Sequence, residues 1–124
     1  MSSQAIKAGY RLFDGAYDYA NEKEAGQGVR RAIEEGLVRR EDIFITTKLW
    51  NNYHRKEHAL QMAKAQNAAW GLGHIDLYLI HFPVALKYID PEERRFPVSG
   101  HRCAGKLNIT DSSKGLVDGR QRHY

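Results

Sequence analysis

Asp14, Tyr19, Lys48 and His81 are of types that together can carry out one reaction. Three of them end short apolar runs: Asp14 closes YRLFD, Lys48 closes IFITTK and His81 closes IDLYLIH. The intervals are 34 residues from Asp14 to Lys48 and 33 from Lys48 to His81. Tyr19 lies five residues past Asp14, in the loop GAYDYAN. Such a set suits the reduction of a carbonyl. Hydride addition to carbonyl carbon builds negative charge on oxygen, and a proton must arrive there. A tyrosine hydroxyl can give that proton, although its ordinary pKa is about 10. A lysine ammonium beside it stabilises the tyrosinate, an aspartate keeps the lysine charged and oriented, and a histidine can orient the substrate oxygen. Singly, each residue has a structural role open to it. Asp14 could cap a turn, Lys48 could lie on the surface and Tyr19 could pack on a helix. Their joint placement at corresponding run ends is what points to chemistry.

The elements that must position them read as strand, helix, strand, helix, strand. Tyr10–Asp14, Ile43–Lys48 and Ile75–His81 have strand composition. The unalternating IFI and LYLI predict strands covered on both faces, as in parallel sheets. Asn21–Val38 reads as a helix, with Glu24, Ala25, Gly28, Val29, Ala32, Ile33 and Leu37 recurring at helical spacing. Asn21 and Glu24 resemble a capping box, and Gly36 marks the helix end. A second helix spans Lys56 to Trp70, with Leu60, Ala63, Ala68 and Ala69 expected to be buried and Gly71 and Gly73 after it. Ser2–Gly9 reads as the last turns of a helix entering the first strand. Repeats of this length are βαβ units, and parallel strands place all their C-terminal ends on one side. That side is the active-site face of α/β proteins.

The motifs carry a resemblance. GYRLFDGAYDYANEKEAGQGVRRAI, IFITTKLWN and IDLYLIHFP resemble, in order and spacing, the aldo-keto reductase blocks that carry the family's catalytic residues. LWNNYH and HFPVALKYIDPEERR are most similar to fungal xylose and related aldose reductases. The resemblance covers about Ala5 to Pro97. It implies an NAD(P)H-dependent reductase of aldehydes or aldoses on a (β/α)₈ barrel, of which this α/β chain would hold about three strands. By resemblance Tyr19 is the general acid, Lys48 and Asp14 the pair that lowers its pKa, and His81 the orienter of the carbonyl. Asp14 also meets the cofactor, and Trp50 lines the substrate pocket with His81. NADPH is the expected cofactor by family habit, with NADH possible. The family's main contacts to the cofactor's phosphate and adenine lie in a C-terminal half that does not follow here. The expected domain is therefore 1–97. Residues 98–124 form a tail that does not continue the family pattern and reads as disordered sequence from elsewhere. The alternative is a non-catalytic fragment or interaction module derived from a reductase.

Composition agrees with a soluble, cytoplasmic, globular protein. Of the 124 residues, 42% are hydrophobic and 27% charged, with no run of roughly 20 apolar residues to span a bilayer. The formal charge of +4 does not cluster with aromatics, so no nucleic-acid partner is expected. The single cysteine, Cys103, excludes an intrachain disulfide. His54 and His58 are four apart but lack further ligands at metal spacing. Gly26-Gln27-Gly28 and Gly71-Leu72-Gly73 do not follow strands, so neither reads as a phosphate loop. Asn108-Ile109-Thr110 fits a glycosylation sequon without a secretory signal.

Overall fold

Short apolar segments alternating with amphipathic helices give parallel strands, and three form here. The structure is a computed structural model and describes residues 1–91; the expectations for Cys103, the sequon and the 98–124 tail lie outside the described residues. Strand β1 is Leu12–Asp14, β2 is Phe44–Leu49 and β3 is Leu77–Ile80. They form one parallel sheet in the order β1-β2-β3. Helix α1 (Ser2–Lys7) precedes β1, α2 (Glu22–Glu34) joins β1 to β2, and α3 (Lys56–Trp70) joins β2 to β3. The arrangement is part of a (β/α)₈ barrel.

Register divides the side chains between two faces. Phe13 pairs with Ile45, and Thr47 with Tyr78; Ile45 and Thr47 are fully buried. With Ile6, Val29, Ala32, Val38, Ile43, Trp70 and Leu72, Ile45 forms the main core. A smaller cluster of Leu49, Tyr53 and Met62 lies nearer the C-terminal end of β2. On the alternate positions, Leu12 pairs with Phe44, Asp14 with Thr46, Thr46 with Leu77 and Lys48 with Leu79. Leu12, Phe44, Leu77 and Leu79 are all exposed. The expected cover on both faces is thus not met by the described residues: helices cover one face only.

Three further expectations need correction. Helix α2 begins after Asn21, but the Asn21 side chain makes no cap hydrogen bond, so the capping box does not form. The helix stops at Glu34 rather than Val38, because Gly36 (φ +70°) turns the chain: Gly36 N–H donates to the Ile33 carbonyl and Leu37 N–H to that of Ala32. These are the two bonds of a Schellman end. Helix α3 has the predicted bounds but buries another face. Met62, Gln66 and Trp70 point inward, whereas Leu60 and Ala68 are exposed. The reason is that a buried polar residue, Gln66, occupies the middle of the stripe and finds partners there.

Candidate functional site

The cluster is built from the C-terminal ends of the three strands. Even-numbered positions of β1 and β2 share the face away from the helices, so Asp14 and Lys48 emerge side by side. Lys48 Nζ lies 2.5 Å from Asp14 Oδ1 and donates to the Gly15 carbonyl at 3.0 Å. The Tyr19 hydroxyl is 3.5 Å from the same ammonium, which sits 5.1 Å from the Tyr19 ring centroid. The Lys48 side chain is largely buried, while about half of the Asp14 side chain is open. Burial opposes the lysine charge, but the hydrogen bonds and attraction from Asp14 and Tyr19 outweigh it. The ammonium pKa is therefore held above the ordinary lysine value.

Tyr19 closes a single 3₁₀ turn, Tyr17–Tyr19. Ala20 then adopts a left-handed conformation at φ +53°, which costs a non-glycine residue roughly 1–2 kcal/mol. That reversal directs the loop back over the sheet ends. Tyr17 anchors it: the Tyr53 hydroxyl donates to that of Tyr17 at 3.4 Å, and the rings meet edge-on at 5.5 Å. Tyr53 belongs to the 3₁₀ turn that follows β2. The loop bearing Tyr19 is thus tied to the chain that leaves Lys48.

His81 follows β3, and its backbone N–H donates to the Leu49 carbonyl at 3.0 Å. Its ring meets that of Tyr19 edge-on at 5.8 Å between centroids. Trp50 meets His81 edge-on at 5.4 Å, and Phe82 stacks on it at 4.4 Å. His81 Nδ1 has no hydrogen-bond partner among the described residues. All five residues singled out from the sequence, Asp14, Tyr19, Lys48, Trp50 and His81, thus come together at one end of the sheet. Phe82 was missed. Its place directly after the histidine, ahead of Pro83, was the available signal. His54 and His58 lie elsewhere: His58 stacks on Tyr88 at 3.6 Å, and neither His54 nitrogen has a partner among the described residues. Burial lowers the His54 pKa.

An ammonium pinned between carboxylate and phenol, with an aromatic wall and an imidazole ring against the phenol, can serve proton transfer to a bound oxygen. The sequence model of the aldo/keto reductase family matches residues 1–110. The chain belongs to the aldo/keto reductase family. It is 64% identical over 93 residues to an NAD(P)H-dependent pentose reductase of Pyricularia oryzae, covering 75% of this chain and 28% of that protein. It is 62% identical over 114 residues to an NAD(P)H-dependent D-xylose reductase of the same fungus, covering 92% and 35%. Among solved structures it is similar to the aldose reductase of Schistosoma japonicum, with TM-score 0.68 and 43% identity over 71% of this chain and 29% of that one. A Bombyx mori aldo-keto reductase in complex with NADP gives TM-score 0.68 and 43% identity over 78% and 31%. The chain therefore spans about a third of the length of these family members.

Proposed function

We propose that these residues are the proton-donating half of an NAD(P)H-dependent reductase of aldehydes and aldoses, with pentoses such as xylose as the substrate class. The observation that carries the reading is Lys48 Nζ held between Asp14 Oδ1 and the Tyr19 hydroxyl, with the His81 ring against Tyr19. The relatives named as pentose and xylose reductases support the substrate class.

When bound, the nicotinamide cofactor supplies the hydride that reaches the carbonyl carbon. The residues present fit such a group by their chemistry: an exposed phenol backed by a cation, beside a carboxylate with acceptor capacity to spare. Asp14 is the residue here that would help to hold it. Tyr19 gives its hydroxyl proton to the substrate oxygen as the carbon–oxygen double bond becomes a single bond. Lys48 stabilises the phenolate left behind, and Asp14 keeps Lys48 in place and charged. His81 donates a hydrogen bond to the same oxygen and fixes its direction, while Trp50 packs against the substrate carbons. The product is an alcohol, and solvent returns the proton to Tyr19.

The test is Tyr19→Phe in an active protein carrying these residues. Turnover should fall about 10²- to 10⁴-fold, the usual contribution of a positioned acid, while cofactor affinity is retained. Turnover near the wild-type rate would remove Tyr19 from the role of donor.

A further inference from the structure

The segments that deliver Tyr19, Lys48 and His81 are also tied together from behind, on the helix side of the sheet. Glu22 opens α2 three residues after Tyr19 and is only 7% exposed. Its Oε1 accepts hydrogen bonds from the Thr47 hydroxyl, from Gln66 Nε2 at 2.9 Å and from Trp70 Nε1 at 3.0 Å. Gln66, on α3 and 2% exposed, shares its amide protons further with Thr47 Oγ1 at 3.1 Å and the Lys48 carbonyl at 3.3 Å. Its own Oε1 accepts from the Tyr78 hydroxyl at 2.6 Å. Thr47 immediately precedes Lys48 on β2, and Tyr78 lies on β3 three residues before His81. One buried network therefore reaches the segments that carry Tyr19, Lys48 and His81.

Apolar contact in these places would supply cohesion without direction, because hydrophobic burial is non-directional. A buried carboxylate and amide are different. Any slide of β2 against α2 or α3 leaves a buried donor or acceptor unpaired, and that group's desolvation then goes uncompensated. The proton-transfer reading tolerates little slide, since misplacement by about 1 Å can cost on the order of a hundredfold in rate. We infer that Glu22 and Gln66 are positioning residues that, through Thr47 and the Lys48 backbone, set where the Lys48 ammonium meets Asp14 and Tyr19. The inference deepens the reductase reading and rests on it for its purpose.

The test follows the Lys48 ammonium in the full 124-residue chain by NMR with ¹³C-labelled lysine, its signal assigned with Lys48→Arg. The titratable groups facing Lys48 are Asp14 from β1 and Tyr19 from the loop. In Gln66→Leu the chain should stay folded, and the Lys48 midpoint should fall as the ammonium drifts from Asp14. Val29→Ala opens a cavity in the main core away from the network, and should lower stability with the midpoint unmoved. A folded Gln66→Leu chain with the wild-type midpoint would overturn the inference, as would an equal shift in Val29→Ala. Should Gln66→Leu unfold, Thr47→Val and Thr47→Ser read the same quantity. The serine keeps the hydroxyl and should retain the wild-type midpoint, the valine should lose it, and equal midpoints would overturn the inference. No turnover is needed, so an active Tyr19→Phe variant would sink the reductase reading while these midpoints still judged the positioning.

Discussion

Asp76 shows how one carboxylate at the opposite end of the sheet from Lys48 can fix chain geometry without chemistry. It stands one residue before β3, and its Oδ2 accepts from the Ile45 N–H at 2.8 Å and from Arg40 Nη2 at 2.7 Å. Arg40 in turn donates to the carbonyls of Leu72, Ile43 and His74. Burial would raise the Asp76 pKa, but the Ile45 hydrogen bond and the Arg40 guanidinium outweigh it and hold the carboxyl below its ordinary 3.8. A depressed carboxylate pKa contributes stability that is fully present above the unfolded value and lost as pH falls through the folded one. Asp76→Asn should therefore cost about 1.5–3 kcal/mol near pH 6, the range for hydrogen bonds to charged groups. In urea melts the gap from wild type should narrow as pH drops below about 4 and close in strong acid. A gap independent of pH would assign the effect to packing. At this scale the sequence was readable where charge had to end an apolar run. Asp14, Lys48 and His81 were legible for that reason, and Tyr19 by its loop. Glu22 and Gln66 were not, because a polar residue on a helix is ordinarily read as solvent-facing. Only the meeting of four segments makes their burial tolerable.

Strand and helix order could be read from the chain because each element is short and bounded by loop residues. The face of α3 could not, and the error has a measurable consequence. Leu60, chosen for its hydrophobicity, is 55% exposed, whereas Met62 is 4% exposed among Leu49 and Tyr53. Met62→Ala should cost about 2–5 kcal/mol, and Leu60→Ala no more than about 0.5 kcal/mol. Equal losses in thermal or urea melts would return the predicted face. The α2–α3 contact gives a second case in which two effects compete. Gly26 packs directly on the end of α3, where an added methyl would lie 2.8 Å from both Cα and the carbonyl carbon of Trp70. Alanine favours the helix by about 1 kcal/mol over glycine. Displacing backbone costs about 1–3 kcal/mol or more, so the clash should win. Gly26→Ala is expected to destabilise the chain, and a stabilised variant would show that the helices can part without penalty. Helical periodicity alone does not report how close two backbones come, which is why Gly26 read only as part of a glycine pair.

The sheet as a whole presents an apolar face that the described residues leave open. Leu12, Phe44, Leu77 and Leu79 are each 40–58% exposed there, in register across all three strands. Full burial of such a side chain stabilises by about 1.5–3 kcal/mol, so half-exposure of four forgoes roughly 3–6 kcal/mol. That is comparable with the whole stability of a small domain, about 5–15 kcal/mol. The outer edges of β1 and β3 have no partner strand among the described residues, and such edges pair readily with other chains. A barrel removes both liabilities by closing on itself, with inward side chains packing against those from the opposite strands. Residues 1–124 expressed alone should therefore self-associate through this face, and sedimentation velocity at about 0.1 mM should detect it. The same openness bears on activity. Asp14, Lys48 and Tyr19 can meet within the three strands, but reduction also needs a nicotinamide ring held at reacting distance from the carbonyl. The described residues offer ring and carbonyl no opposing wall to fix their separation, and rate falls steeply with misplacement. The chain alone is expected to bind NADPH weakly and to leave xylose unreduced. A soluble monomer that binds NADPH tightly and reduces xylose, with turnover abolished by Tyr19→Phe, would refute this and make three strands a sufficient reductase.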